Sequence, residues 1–325
     1  MSKIKRIAFS IGDPGGIGPE VTFKAIRNTF QVNSYTPIIY GSANLLAHEK
    51  WQLFVSGLPL TVIQPNDEIQ DQKINFLDCG DYEGDLLLKS DQQNGQQSFN
   101  YLCRSVDACK EKRVDALVTA PICKYSFTLA GINYTGHTTL LSALTSSRTV
   151  SMAFYTERLK TVLATVHMPL QKVSSELNEP LLNKTFKNSL LFAKQLQIVN
   201  PKIALAALNP HASEGGMFGN EERVLLEPLV RKWQSQGHAV FGPIPADTLY
   251  HRAYKGEFDI VISLYHDQGL IPIKLLNFHD AVNVTLGLPF IRTSPDHGTA
   301  FDIAYQDKAD ASSMISATQL ALKLS

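Results

Sequence analysis

The sequence predicts an α/β fold of two α/β/α lobes with a cleft between them. Three observations carry that expectation. Short apolar runs rich in Val, Ile and Leu alternate with segments of helical periodicity along the chain, the pattern of a largely parallel sheet covered by helices. A glycine-rich turn, Gly12-Asp-Pro-Gly-Gly-Ile-Gly-Pro-Glu20, leaves the first apolar run and opens a helix. Three histidines, His167, His211 and His266, each close a strand-like run, and open α/β sheets gather ligand and catalytic groups outside the carboxyl ends of their strands.

The elements follow in order. Residues 7–11 read as a strand and 19–29 as a helix, with Pro19 suited to its first position because the missing N–H would be orphaned there anyway. Residues 37–40 form the next strand, and Gly41-Ser42 breaks into a helix near 44–55. Short strands follow at 60–63 and 74–77. The polar stretch Gln92-Gln-Asn-Gly-Gln-Gln97 reads as a surface loop. Phe99, Leu102, Cys103, Val106 and Cys109 recur at helical spacing, so 96–112 is an amphipathic helix. A strand at 116–119 ends in Ala120-Pro121. Residues 150–155 and 160–166 form a hairpin around Glu157-Arg158. Helices at 183–196, 221–234 and 311–324 alternate with strands at 203–208, 259–264 and 282–286, and Asp310 is placed to cap the last helix.

Composition narrows the function. The 325 residues, 44% of them hydrophobic, suffice for one large or two ordinary domains. Lys+Arg and Asp+Glu are both 30, a formal net charge of zero, which argues against a nucleic-acid partner. Cys79, Cys103, Cys109 and Cys123 show no C-x-x-C pairing and read as reduced core residues. The basic start Met1-Ser-Lys-Ile-Lys-Arg6 leads into an apolar run too short for a signal-peptide core. No apolar stretch approaches the ~18 residues of a membrane span, so the expected compartment is the cytoplasm.

Several segments carry chemistry. Three imidazoles delivered at strand ends could hold a divalent cation and leave positions open for substrate. The glycine turn permits positive φ and close backbone approach at Gly12 and Gly15, and the helix behind it favours negative charge. It is neither a spaced G-x-G-x-x-G nor a Walker loop. Tyr134-Thr-Gly-His-Thr-Thr139 offers hydroxyls and one imidazole, His137, to an anion, or is a capped turn before a helix at 139–144. The glycine-rich loop from Leu208 to Gly219 holds His211. Asp267 stands beside His266, where a carboxylate could ligate, orient an imidazole or take a proton. Arg292 could grip a phosphate bidentately, and His297-Gly-Thr-Ala300 reads as a loop shaped around a flat ligand.

Together these segments resemble the 4-hydroxythreonine-4-phosphate dehydrogenase family of pyridoxal phosphate biosynthesis. The resemblance runs from about Ile7 to Leu322 and is carried by seven ordered motifs: G-D-P-G-G-I-G-P-E, T-G-H-T, L-N-P-H-A-S-E-G-G, P-A-D-T-L, Y-H-D-Q-G-L, N-V-T-L-G-L-P-F-I-R-T-S and D-H-G-T-A. The wider fold resembles isocitrate and isopropylmalate dehydrogenases. On that resemblance His167, His211 and His266 match divalent-metal ligands. His137, Thr138, Lys274, Asn283 and Arg292 match substrate contacts. Gly12, Gly15, His297, Gly298, Thr299 and Ala300 fall on the dinucleotide segments. It implies NAD-dependent oxidation of 4-phosphooxy-L-threonine, or NADP-dependent oxidation, followed by loss of CO2 to give 3-amino-2-oxopropyl phosphate. Asp247 and Asp267 are the candidates for the base. The metal is Zn, Mg, Co or Mn. The resemblance also implies a homodimer in which His266 reaches the partner's metal site, and a first lobe of 1–125 plus 296–325 beside a second of 126–295 that carries the metal, substrate and dimer residues. Two departures from the family pattern stand out: Thr139 replaces a common glutamate and Tyr305 a glycine. The competing readings are oxidation of another phosphorylated hydroxy acid such as D-threonate 4-phosphate, and, in a different class, a phosphate acyltransferase-like or non-catalytic phosphate-binding protein.

Overall fold

The computed structural model describes residues 4–31 and 34–325; Met1, Ser2 and Lys3 of the basic start lie outside it. β1 (Arg6–Ser10) runs into the glycine turn and α1 (Gly18–Thr29), which has proline near its first position and Glu20 in its first turn. β2 (Thr36–Gly41) follows. The helix expected at 44–55 is split into a 3-10 turn, Ala43–Ala47, and α2 (Glu49–Val55). His48 makes the break: its backbone is extended, and its Nδ1 accepts the Lys50 N–H at 3.2 Å as a cap. β3 (Leu60–Ile63) and β4 (Ile74–Asp78) match the reading.

α3 (Gln92–Lys110) corrects it. The glutamine-rich stretch is the first turns of this helix, not a loop. Asp91 caps it by accepting the Gln93 N–H at 2.7 Å, and Asn94 and Gly95 are buried. Glutamine is a good helix former, so polarity there marks one helix face and not a turn. β5 (Ala116–Thr119), α4 (Lys124–Leu129) and α5 (His137–Leu144) complete this part of the chain.

β6 (Ser151–Tyr155) and β7 (Lys160–Leu163) pair antiparallel, as the hairpin reading requires. Then come α6 (Leu170–Glu176), α7 (Glu179–Gln195), β8 (Ile203–Ala206), a π turn at Glu222–Leu226 that runs into α8 (Glu227–Ser235), and β9 (Val240–Ile244). α9 (Ala246–Tyr254), β10 (Ile260–Ser263), α10 (His266–Leu276), β11 (Val282–Leu286) and β12 (Ile291–Pro295) lead to α11 (Ser312–Leu324). The cap position of α11 is Ala311; Asp310 serves it from one residue earlier, its Oδ1 accepting the Ser312 N–H at 2.9 Å.

The chain divides into two compact units. The first takes the described residues up to Arg148 together with Leu288–Ser325. Its strands run in the order β3-β4-β2-β1-β5-β12, every neighbouring pair parallel. The second is Thr149–Gly287, ordered β11-β6-β7-β10-β8-β9, antiparallel through β11-β6-β7 and parallel from β7 to β9. Its core includes Phe154, Leu163, Ala204, Leu249, Val261 and Ile273. The divisions fall at 148/149 and 287/288, where the sequence reading had placed them at 125/126 and 295/296. The reason is packing: α4 lies on α3, and β12 pairs with β5, so both belong to the first unit.

Candidate active site

In the second unit, β7, β10, β8 and β9 are adjacent and mutually parallel. Their carboxyl ends therefore lie along one edge, at about 4.8 Å per strand. His167 follows β7, His266 opens α10 after β10, His211 stands in the loop after β8, and Asp247 is in the first turn of α9 after β9. The rings of His167 and His266 are 5.6 Å apart between centroids. The Nδ1 of His266 is 2.7 Å from Asp267 Oδ1, a contact that places the proton on Nδ1 and orients the ring. Among the described residues no three His, Cys, Asp or Glu side chains of one chain stand close enough to hold a metal. The fold thus brings His167 to His266 and presents His211 separately, 6.4 Å from the Phe218 ring between centroids.

His211 begins an unusual stretch. From His211 to Gly215 every φ is positive, between 43° and 71°. A left-handed backbone crowds Cβ against the next carbonyl, at roughly 1–2 kcal/mol per non-glycine residue, so the surroundings must hold it. The chain entering this stretch is anchored by Glu222, which is wholly buried. Its Oε1 accepts the N–H groups of Leu208 and Asn209 at 2.9 and 2.8 Å, and its Oε2 accepts the Asn209 side-chain amide at 2.9 Å. Asp247 is exposed, and Lys274 is half-buried in the last turn of α10. Asn283, on β11, has a buried Oδ1 with no hydrogen-bond partner.

The first unit supplies a buried cation. Arg292 on β12 is 2% exposed, and its Nη2 and Nε reach Thr119 Oγ1 at 2.6 and 3.2 Å. Burial lowers its pKa to about 9, which leaves the guanidinium charged at neutral pH. α5 starts at His137, two residues before the sequence reading, after Gly136 with φ 154°. Thr138 is half-buried in its first turn; Thr139 is exposed and donates to the Gly136 carbonyl at 3.0 Å. His137 Nε2 is buried without a partner. Burial, and then the charge of Arg292, hold this imidazole well below its ordinary pKa and therefore neutral.

The glycine turn packs on the chain itself. A Cβ on Gly12 (φ +77°) would sit 2.3 Å from the Pro121 carbonyl oxygen, and one on Gly15 would sit 2.3 Å from that of Leu87. The Ile17 N–H donates to the Thr299 carbonyl at 2.9 Å, so the start of α1 is joined to the 297–300 loop. In that loop Gly298 opens on free space, with nothing within 4 Å of a Cβ built there. Beneath the turn, Asp13 is fully buried and accepts from Gly15 N–H and Ser126 Oγ, both at 3.0 Å; burial raises its pKa to about 7. Tyr305, the residue in place of glycine, is buried there too. Trp51 Nε1 donates to its hydroxyl at 2.7 Å, and the hydroxyl donates to the Pro14 carbonyl.

Sequence reasoning missed Thr119, Glu222, Asp13 and the role of Tyr305. Thr119 and Asp13 had a signal, since each lies at or just past the carboxyl end of an apolar run. Glu222, in a helical segment, had none.

Comparison with known proteins agrees with this architecture. A family model described as pyridoxal phosphate biosynthetic protein PdxA matches residues 33–321. A D-threonate 4-phosphate dehydrogenase of Pectobacterium atrosepticum is 39% identical over 329 residues, 100% of both chains. A 4-hydroxythreonine-4-phosphate dehydrogenase of Sulfurihydrogenibium is 39% identical over 320 residues, 98% of each. A solved 4-hydroxythreonine-4-phosphate dehydrogenase from Klebsiella pneumoniae superposes with a TM-score of 0.87 at 37% identity, over 98% of this chain and 99% of that one. With the family model spanning most of its length and such relatives matching it end to end, the chain belongs to the PdxA family of pyridoxal phosphate biosynthetic proteins.

Proposed function

We propose that this chain is a dehydrogenase that oxidises the C3 hydroxyl of 4-phosphooxy-L-threonine, with decarboxylation to 3-amino-2-oxopropyl phosphate. The observation that carries the reading is the row of strand ends β7, β10, β8 and β9, which delivers His167, His266, His211 and Asp247 to one edge. The names of relatives support the reaction class.

The donor set fits a divalent cation: His167 and His211 follow neighbouring strands of one edge, and His266, lent by a second subunit, is already oriented by a carboxylate. When bound, that ion supplies Lewis acidity at the substrate hydroxyl and carbonyl, and a nicotinamide dinucleotide supplies the hydride acceptor. The chain's own residues do the rest. Arg292 and Lys274 bind the phosphate. Asn283 Oδ1 and His137 Nε2, both buried without a partner, hydrogen-bond the substrate. Asp267 is committed to His266, which leaves Asp247 to take the hydroxyl proton. The loop 297–300, with Gly298 open, binds the dinucleotide beside the glycine turn. The protein acts as a homodimer whose metal sites take His266 from the second subunit. The apolar, exposed face of the helix it opens supports this: Ile271 is 63%, Leu275 83% and nearby Phe278 70% exposed.

A second reading, oxidation of D-threonate 4-phosphate, is favoured by relatives of that name matching at the same 39% identity. Both substrates are phosphorylated four-carbon hydroxy acids, so one experiment separates them: NADH formation followed by absorbance with each compound. The higher kcat/KM identifies the substrate. No turnover of either, with NAD or NADP and added divalent metal, refutes the reading.

A further inference from the structure

The strand ends that carry the three histidines are tied to one another by side chains that belong to none of the roles above. Leu264, at the end of β10, is the hub. Its carbonyl accepts the Thr165 hydroxyl at 2.7 Å and the Thr165 N–H at 3.2 Å. Its N–H donates to Gln268 Oε1 at 2.7 Å, and Gln268 Nε2 donates to the Ala207 carbonyl at 2.7 Å. The pairing of β10 with β8 has stopped here, so the Leu264 N–H and the Ala207 carbonyl would otherwise be buried and unsatisfied. Thr165 lies two residues before His167, Leu264 two before His266, and Ala207 four before His211. Gln268 is 7% exposed. It sits one residue before Gly269, where a Cβ would come within 2.6 Å of Leu163 Cδ2 and 2.9 Å of Ser263 Oγ. α10 is therefore seated tightly on β7 and β10, and the glutamine has little freedom.

We propose that Gln268, assisted by Thr165, is the positioning residue for the metal ligands that each chain presents: its amide couples the backbone entering His266, which serves the partner's site, to the backbone entering His211, which serves the chain's own, while Thr165 couples His167 to the same hub. The inference rests on the metal reading of the three histidines. The chemistry requires glutamine. One arm must accept from an N–H and the other must donate to a carbonyl, and only a carboxamide of this length does both. A glutamate would set an oxygen against the Ala207 carbonyl oxygen.

The test is titration of the full-length, metal-free protein with Co2+, reading affinity by chelator competition and coordination geometry by the visible absorption of the bound ion. Gln268→Met and Gln268→Glu should each weaken Co2+ binding by about 10–100-fold, the usual size of an outer-shell effect, and should alter the spectrum. The dinucleotide KM and the far-ultraviolet circular dichroism should stay at parental values. Thr165→Val, which deletes one hydroxyl and keeps its N–H bond, should give a smaller change of the same kind; it carries the test if the Gln268 variants fold poorly. Parental affinity and spectrum in well-folded Gln268 variants would overturn the proposal while the metal reading stands, provided His167→Ala abolishes binding. If the parent itself binds no Co2+, the metal reading falls and the proposal falls with it.

Discussion

Arg292 is a cation with almost no water around it, held by a threonine hydroxyl. A phosphate meeting it forms charge-assisted bonds without bulk screening. Arg292→Ala should therefore lose roughly 2–5 kcal/mol of transition-state binding, read from kcat/KM. A dephosphorylated substrate should be poor with the parent and hardly affected further by the change; equal losses on both substrates would assign Arg292 to the fold instead. Asp13 gives a second prediction, about pH. Its folded pKa, about 7, lies above the ordinary 3.8, so the folded state favours the neutral acid. That contribution is complete below about pH 4 and is lost as pH rises through 7. Asp13→Asn, which can keep both hydrogen bonds, should match the parent near pH 4 and exceed it above pH 7, by up to about 4 kcal/mol. His137, held neutral, biases stability the opposite way with pH, so the informative quantity is the difference between variant and parent in urea unfolding. A difference that does not change with pH would show that burial of Asp13 is not the cause.

At the scale of elements, the sequence marked most strands because a buried parallel strand is a short apolar run between breakers. The same logic located His167, His211 and His266, each of which ends such a run. It is silent on α10. Proline in a helix interior removes a hydrogen bond, so Gly269-Leu-Ile-Pro-Ile273 gives no helix signal, yet the helix passes through Pro272 with Leu270 and Ile273 buried. It failed on what holds the site. Gln268 was visible as a letter in Y-H-D-Q-G-L, but its partner Ala207 follows another strand, β8, and only the pairing of β10 with β8 makes them neighbours. Tyr305 is similar: alone it is a departure from a glycine pattern, and in place it is a strut between Trp51 and the Pro14 carbonyl. Tyr305→Phe strands both buried partners and should reduce stability by about 1–3 kcal/mol. It should also raise the dinucleotide KM while the substrate KM holds; a rise in the substrate KM alone would dissociate the tyrosine from the glycine turn.

For the whole molecule the decisive question is whether one chain suffices. If His266 serves the partner, His167→Ala and His266→Ala homodimers are each nearly inactive. In a mixed dimer one site carries both lesions and the other none. Random remixing of equal amounts should then restore roughly a quarter of parental activity. Assay after joint dissociation and reassembly decides it, with each variant treated alone as control; a mixture as inactive as its components despite proven subunit exchange confines the site to one chain.

The segment Thr149–Gly287 interrupts the first unit, and its two ends meet: Ser151 is paired with Leu286, and a Cβ on Gly287 would touch the Thr149 carbonyl oxygen at 2.4 Å. On the ribosome this imposes an order. The second unit is contiguous and can fold as soon as it has emerged. The first cannot be finished until β12 arrives to cover β5, whose four residues, Ala116–Thr119, are all buried in the finished protein. At ~5–20 residues per second that wait is roughly 10–30 s. For that time the nascent protein trails an open apolar strand edge, a natural client for a chaperone. A stalled chain ending near residue 148 should aggregate, whereas a fragment of 149–287 should express in soluble form.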